Sequence, residues 1–522
     1  MAGGWTRHFV LSFTHINLYY LRSLNHLWRM HSAVPHDDDR FDLCDEIRDA
    51  RFGNRKLNAR AAKVLAQMNQ DPQKTSINST FAGWADTQAA YRFLSNEKTS
   101  SEILIEAHRL QILKRCEQQD RLLLVQDTTE LDYSDNSTLR GAGVIADNRK
   151  CGRTGFFLHA HYLLNTDHVP LGIWGLDFES RDPGQVGQYK ARKKLPIEEK
   201  TSFRWLFGYR LACDIQSKLP GKQVVSLADR EGDIFEIYAE HAERLGRGER
   251  PADFVIRAKE NRALLDNETH EEIEGHLFDQ DRHHEALGTI TFDVPTREKI
   301  LREKGKNTRY ERQARRVTQE VRAYQVTFRP PFRRGKKLPV LKLWIITAKE
   351  VSPPAGEPPI EWRIVTSIPA RTLAQAHGII RDYCGRWQIE VFFRTLKTGC
   401  RIEQLRLKTA SAIQVCTALY GIIAWRLNFL VEHARLHGEE PCDRYFSDEE
   451  WESTLVIAKK AKHPVRPPSL GEFMGVVAGL GGYLGRKSDP PPGVQAIWQG
   501  LQKVYGYAEA WHAFKKPNLP AS

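Results

Sequence analysis

The chain contains no C-x-x-C pair. Its eight cysteines, Cys44, Cys116, Cys151, Cys213, Cys384, Cys400, Cys416 and Cys442, are scattered. That spacing leaves a zinc finger or a dithiol redox motif without support, and in a long chain it reads as reduced thiols in a cytosolic protein. There is no Walker phosphate loop, so ATP is not implied. There is no G-x-S-x-G elbow or Ser-His-Asp spacing, so no covalent nucleophile is called for. No stretch reaches the length of a membrane span. The apolar patch from Phe9 to Leu21 is interrupted by His15 and Asn17, and no small-residue cleavage site follows, which argues against a secretory signal. Internal repeats are absent. The adjacent His283 and His284 read as surface residues, not ligands.

What the chain does have is length and positive charge. At 522 residues it is too long for one core, and two to four domains are expected. Hydrophobic residues make up 41%, enough for a sizeable core, and charged residues 27%. Lys and Arg total 77 against 65 Asp and Glu, a net charge of +12. That balance favours a polyanionic partner, nucleic acid first, although a merely basic soluble protein would share it.

From Phe52 to about Gln118 the pattern is helical. Asn54 is placed as an N-cap before a run through Leu57, Ala61, Val64 and Leu65 that is crowded with Arg55, Lys56, Arg60 and Lys63. At Arg121 the texture changes. Leu122 to Val125 form a continuous apolar run ending at Asp127, the pattern of a strand buried on both faces. Strand-like runs follow at Gly155–Leu164 and His168–Phe178, then a helix over Glu198–Leu219. A second buried strand, Val224–Ala228, ends at Asp229, and Phe254–Ala258 is another. This alternation predicts a mixed α/β core. Residues from about 262 to 360 read as a largely β insertion. Its strand-like runs are separated by basic stretches (Arg309, Arg312, Arg315, Arg316; then Arg333, Arg334, Lys336, Lys337), which equally suit solvated loops. A helical region runs from Leu373 to about His437. After a polar stretch with Lys459, Lys460, Lys462, Pro464, Pro467 and Pro468, helix returns from Leu470 to Phe514 around Gly479, Gly481 and Gly482.

Asp127 and Asp229 each sit where a buried strand is expected to end, and the working crevice of an open α/β sheet lies at that end. Two carboxylates brought together there repel each other unless cations lie between them. Taken singly, an Asp at a strand end is better explained by a turn or cap, and Asp132, Asp135 and Asp233 are read that way. The third acid shifts the balance. In Tyr383-Cys-Gly-Arg386-Trp-Gln-Ile-Glu390, with Lys397 after it, helical spacing puts Tyr383, Arg386, Glu390 and Lys397 within roughly 60° of one another. Such a stripe offers a carboxylate for a metal beside two cations for phosphates. A solvated ion-pair face has the same composition.

Asp127-Thr128-Thr129, Asp229-Arg230-Glu231-Gly232-Asp233 and the spacing Y-x2-R-x3-E-x6-K together resemble the signature of the insertion-sequence family 4 transposases of the DDE class. The resemblance runs in order over about residues 52–514. It includes the basic helix near Gly53–Arg60, Ala90-Tyr91-Arg92-Phe93, and Leu480-Gly481-Gly482 with Trp498. It implies an α/β fold, with an RNase H-like catalytic core carrying the β insertion. That core would be flanked by an N-terminal helical DNA-binding domain and a C-terminal helical domain. The expected divisions are 1–40 as an extension of open role, 41–118 for DNA binding, 119–437 for catalysis with the insertion at about 262–360, and 438–522 for dimerisation.

The implied function is cut-and-paste transposition. Asp127, Asp229 and Glu390 would bind two Mg²⁺ ions per site, with Mn²⁺ as a substitute. Tyr383, Arg386 and Lys397 would grip the element end. Trp362 would stack on a flipped base, although a core tryptophan fits the same sequence. Arg55, Lys56 and Arg60 would bind the terminal repeat. The partners would be double-stranded DNA, at the element ends and the target, and a second copy of the chain in a synaptic complex, with no membrane. The expected location is the bacterial cytoplasm, at the nucleoid. The rival readings are a decayed, non-catalytic regulator and a stand-alone structure-specific nuclease.

Overall fold

The computed structural model describes residues 40–515 apart from 72–75, 82, 146–151, 182–194, 304–305, 334–336, 460–465, 487–488 and 490. The expectations for the first forty residues, and for Arg334, Lys336, Lys460, Lys462 and Pro464, therefore lie outside the described residues, save for Arg40 itself.

A short turn of helix at Leu43–Ile47 leads into α1 (Arg55–Gln70), α2 (Trp84–Leu94) and α3 (Ser101–Cys116). Asn54 caps α1, its side chain accepting from the Lys56 N–H at 2.8 Å. These helices are fastened to the rest of the chain by a buried polar knot. Glu46 accepts from Arg115 at 2.7 Å and pairs with His108 Nδ1 at 2.6 Å. The other His108 nitrogen accepts from the Ile173 N–H at 3.0 Å. Arg115 also lies over the Trp425 ring, 4.5 Å from its centroid. Burial alone would raise the Glu46 carboxyl, but Arg115 and His108 bring it down to about 2.

The α/β region opens with β1 (Arg121–Asp132), followed by the two-residue β2 (Gly143–Val144), β3 (Thr154–Leu164) and β4 (Pro170–Glu179). Next come α4 (Phe203–Lys218), β5 (Gln223–Ala228), α5 (Phe235–Gly246) and β6 (Asp253–Arg257). β1, β5 and β6 are parallel neighbours, with β3 antiparallel on the far side of β1 and β4 outside it. Leu123 and Val125 enter one core cluster and Leu122 and Leu124 another, so β1 is buried on both faces as its apolar run predicts. β1 does not stop at Asp127, however. It runs five residues further, because its antiparallel pairing with β3 continues to Asp132↔Gly155 after the parallel pairing with β5 has ended at Val125↔Leu227.

The β insertion is part of the same sheet. β14 (Glu361–Thr366) pairs with β6, and β13 (Leu341–Glu350), β12 (Arg315–Phe328), β7 (Ala263–Leu265) and β8 (Glu272–His276) follow outward, with β9 (Gly288–Val294) on β12. A separate hairpin pairs β10 (Arg297–Glu303) with β11 (Lys306–Arg312). The basic stretch expected between strands is thus itself strand: Arg309 and Arg312 fall in β11, and Arg315 and Arg316 open β12. Arg315 is not solvated either, as it pairs with Glu350 at 2.9 Å and Glu357 at 2.8 Å.

The chain then returns as α6 (Leu373–Gly385), α7 (Trp387–Arg394) and the long α8 (Ala410–Leu436). α9 (Asp448–Lys459), α10 (Leu470–Leu480) and α11 (Val494–Lys515) pack against one another behind α8. Contrary to the sequence reading, α8 is long and apolar enough to cross a membrane by length and composition. It is a core helix here, since 94% of its apolar window is buried against β4, α3 and the C-terminal helices. α9 was likewise not anticipated, because its acidic opening at Asp448–Glu450 masks the apolar positions behind it.

Candidate active site

Asp127 projects from β1 where the parallel sheet splits, and Asp229 follows directly on the end of β5. Each has one carboxylate oxygen tied to backbone. Asp127 Oδ1 accepts from the Thr128 N–H at 2.8 Å, and Asp229 Oδ1 from the Glu231 N–H at 2.7 Å. Asp229 is therefore an N-cap, of the short turn Arg230–Gly232, and this fixes its side chain beside the sheet. Gly232 is required there: a Cβ would lie 2.5 Å from the Ala228 Cβ and 3.1 Å from the Trp205 ring.

Glu390 arrives on α7. The helical stripe carrying it is not one helix, because α6 ends at Gly385 and α7 begins at Trp387, with Arg386 at the junction. Gly385 lies so close to His168 that a Cβ would sit 2.6 Å from its ring. Arg386 is buried and holds two of the three acids. Nη1 donates to Asp127 Oδ2 at 2.8 Å, and Nη2 donates to Glu390 Oε1. Burial raises the Asp127 carboxyl; Arg386 opposes the rise, while Asp229 and Glu390 add to it. Burial raises Glu390 as well, again against Arg386. The three acids thus stand within reach of each other's charge. Yet among the described residues no group of three His, Cys, Asp or Glu is gathered tightly enough to hold an ion, since a guanidinium occupies the space between two of them. The donor chemistry nevertheless fits a hard divalent cation. All three candidates are carboxylates, and Glu390 Oε2 is buried without a hydrogen-bond partner.

Three family models match the chain. Residues 43–99 match the transposase DNA-binding model, 238–425 the transposase DDE domain, and 422–515 the transposase Tn5 dimerisation domain. The chain belongs to the Tn5-like DDE transposases. It is accordingly an enzyme that cleaves DNA and transfers strands, it binds DNA, and it forms dimers. The RNase H-like core of that class corresponds to the β3-β1-β5-β6 order described above, and the class uses divalent metal ions.

The remaining expected contacts of the transposase are placed as follows. Tyr383 is buried, with its hydroxyl hydrogen-bonded to Arg257. Lys397 leaves the stripe: Thr395–Gly399 widen into a π-turn, and Lys397 Nζ lies 3.4 Å from Glu403, which also accepts from the Asp132 N–H. Trp362 is 1% exposed and packs edge-on to Tyr383, so in this structure it presents no face to a base. On α1, Arg55 and Lys56 are exposed, whereas Arg60 is paired with Asp86 at 3.1 Å, alongside Lys63.

The sequence reading missed three groups. Arg257 ends the apolar run of β6, in the same way that Asp229 follows β5, and that pattern was available. Arg394 lies one turn beyond Glu390, within reach of its charge. The third group is a buried chain beneath Asp127. His159 Nδ1 takes the Thr128 hydroxyl at 2.7 Å, its Nε2 faces Gln126 Oε1 at 3.3 Å, and Gln126 reaches Ser226 on β5 at 3.1 Å. Burial keeps His159 neutral, so one ring nitrogen donates and the other accepts, joining β1, β3 and β5 under the site. The absence of alternation along β3 hid it, since both faces of that strand are buried.

Proposed function

We propose that Asp127, Asp229 and Glu390 are the catalytic acids of this transposase and its ligands for two Mg²⁺ or Mn²⁺ ions. On this reading it carries out cut-and-paste transposition of an insertion sequence: end nicking, hairpin formation and resolution, then strand transfer into target DNA. What supports the reading is that three carboxylates, remote in the chain, lie within reach of one another's charge around one buried arginine that pairs with two of them. Divalent ions bound there would activate water and stabilise the leaving 3′ oxygen.

The chain's own residues do the positioning. The backbone N–H groups of Thr128 and Glu231 aim the two aspartates. Arg386 and the exposed Arg394 offer guanidinium groups to the scissile region of the DNA backbone. Arg55, Lys56 and Arg60 would meet the terminal repeat, and Lys397 and Tyr383 the end near the cut. Trp362 would take a flipped base only after leaving its core position. Residues 41–118, 119–437 and 438–522 then serve as DNA-binding, catalytic and dimerising parts of a cytoplasmic, nucleoid-associated homodimer. The dimerisation match favours this over a stand-alone nuclease.

The test uses purified protein, Mg²⁺ or Mn²⁺, and labelled element ends, with nicks and hairpins read on a denaturing gel. Glu390→Ala is expected to abolish both products while end binding persists. Normal cleavage by that variant would end the assignment.

A further inference from the structure

Arg386 does more here than face a substrate. It is 8% exposed in its side chain and spans Asp127 and Glu390 with separate nitrogens of one guanidinium. Three neighbouring carboxylates cannot all stay ionised without positive charge among them. Arg386 supplies that charge from within the fold, paired to both Asp127 and Glu390. The arrangement is only half satisfied: Arg386 Nε and Glu390 Oε2 are both buried with no hydrogen-bond partner. A partly satisfied buried network has less holding it than a complete one. The backbone around Arg386 is also a break, with the Arg386 N–H bonded to Tyr383 and the Ile389 N–H to Arg386 in three-residue steps between α6 and α7. Arg394, by contrast, is exposed and reaches Glu390 only through its field.

We infer that Arg386 is a positioning residue that stands in for a cation between Asp127 and Glu390, so that divalent-ion binding requires its guanidinium to let go. A planar fork that fits a carboxylate also fits a DNA phosphate. A bound DNA end therefore gives Arg386 another partner and opens the acids to the ion. Ion binding is thereby held back until DNA is in place. This rests on the three acids being the metal site.

The test is Mn²⁺ binding to the full-length protein without DNA, read from the electron paramagnetic resonance signal of free Mn²⁺. It requires no cleavage. Arg386→Lys keeps the charge but cannot span both acids, and Arg386→Gln removes the charge. Both are expected to bind Mn²⁺ about tenfold more tightly than the unaltered chain. Arg394→Gln should change affinity far less. Unchanged or weaker binding by Arg386→Lys overturns the inference, and that variant decides the matter even where Arg386→Gln fails to fold. Equal tightening by Arg394→Gln also overturns it, because the effect would then be one of field alone. Asp229→Asn separates the two readings. If it loses Mn²⁺ while the Arg386 variants match the unaltered chain, only this inference fails. If it binds Mn²⁺ normally, the metal-site assignment fails as well.

Discussion

Asp127 on β1 and Asp229, the residue after β5, each lie two residues beyond the last register pair of these parallel strands, Val125 with Leu227. Sheet register brings the two positions together, and the turn that Asp229 caps then aims its side chain. Groups that act as a unit are non-additive when removed. Asp127→Asn and Asp229→Asn should each reduce cleavage by about a thousandfold or more, and the double variant should be no worse than either single one. Cleavage rates that multiply across the double variant would show the two acids acting separately.

The exposed face of α1 makes a prediction about salt. Arg55 and Lys56 are exposed, so each is available to a phosphate. Replacing both by Ala should flatten the slope of log binding constant against log salt by about two. Arg60 is engaged with Asp86, so Asp86→Ala, which frees Arg60 and Lys63, should tighten end binding. Weaker binding in Asp86→Ala would mean that Asp86 orients those cations for DNA.

Trp362 fills the core beside Tyr383. Trp362→Ala should lower the unfolding free energy by about 3–5 kcal/mol, measured in urea, in keeping with removal of a large buried side chain. A loss below about 1 kcal/mol would mark a tryptophan that leaves its place easily.

His168 supplies a pH dependence. Burial, with Arg381 nearby, pushes its imidazole down to about 3, so the fold holds it neutral. Unfolded, the ring takes a proton near its ordinary value. Falling pH therefore favours the unfolded chain: the stability tied to this group is present above about pH 6.5 and is lost as pH drops below that. His168 has φ 63°, which Asn tolerates, so His168→Asn is the comparison. Between pH 7.5 and 5.5 the unaltered chain should lose about 1 kcal/mol more than the variant. Parallel losses would place the histidine's titration elsewhere. The paired measurement is needed because Asp127, pushed up to about 8 chiefly by burial, changes stability in the opposite direction over the same window.

The sequence made the two aspartates legible because an apolar run that ends in a charge marks a strand emerging from a core. Asp229 follows that rule. Asp127 follows it only on its β5 side, since pairing with β3 carries the strand onward, and pairing partners are not written in one strand's composition. Glu390 was legible through helical spacing, which survives the junction at Arg386. Lys397 did not survive it, because a π-turn changes the residues per turn without an evident mark in Thr395–Gly399. The burial of Trp362 and the joining of the insertion to the core sheet depend on β14 docking against β6, a contact between segments about a hundred residues apart. The guanidinium bridge likewise depends on distant partners.

The knot of Glu46, Arg115 and His108 makes the helices matched to DNA binding continuous with the sheet that carries the acids. The two parts therefore share one seam inside the subunit, and a load placed on the DNA-binding helices is carried through buried polar links into β4 of that sheet.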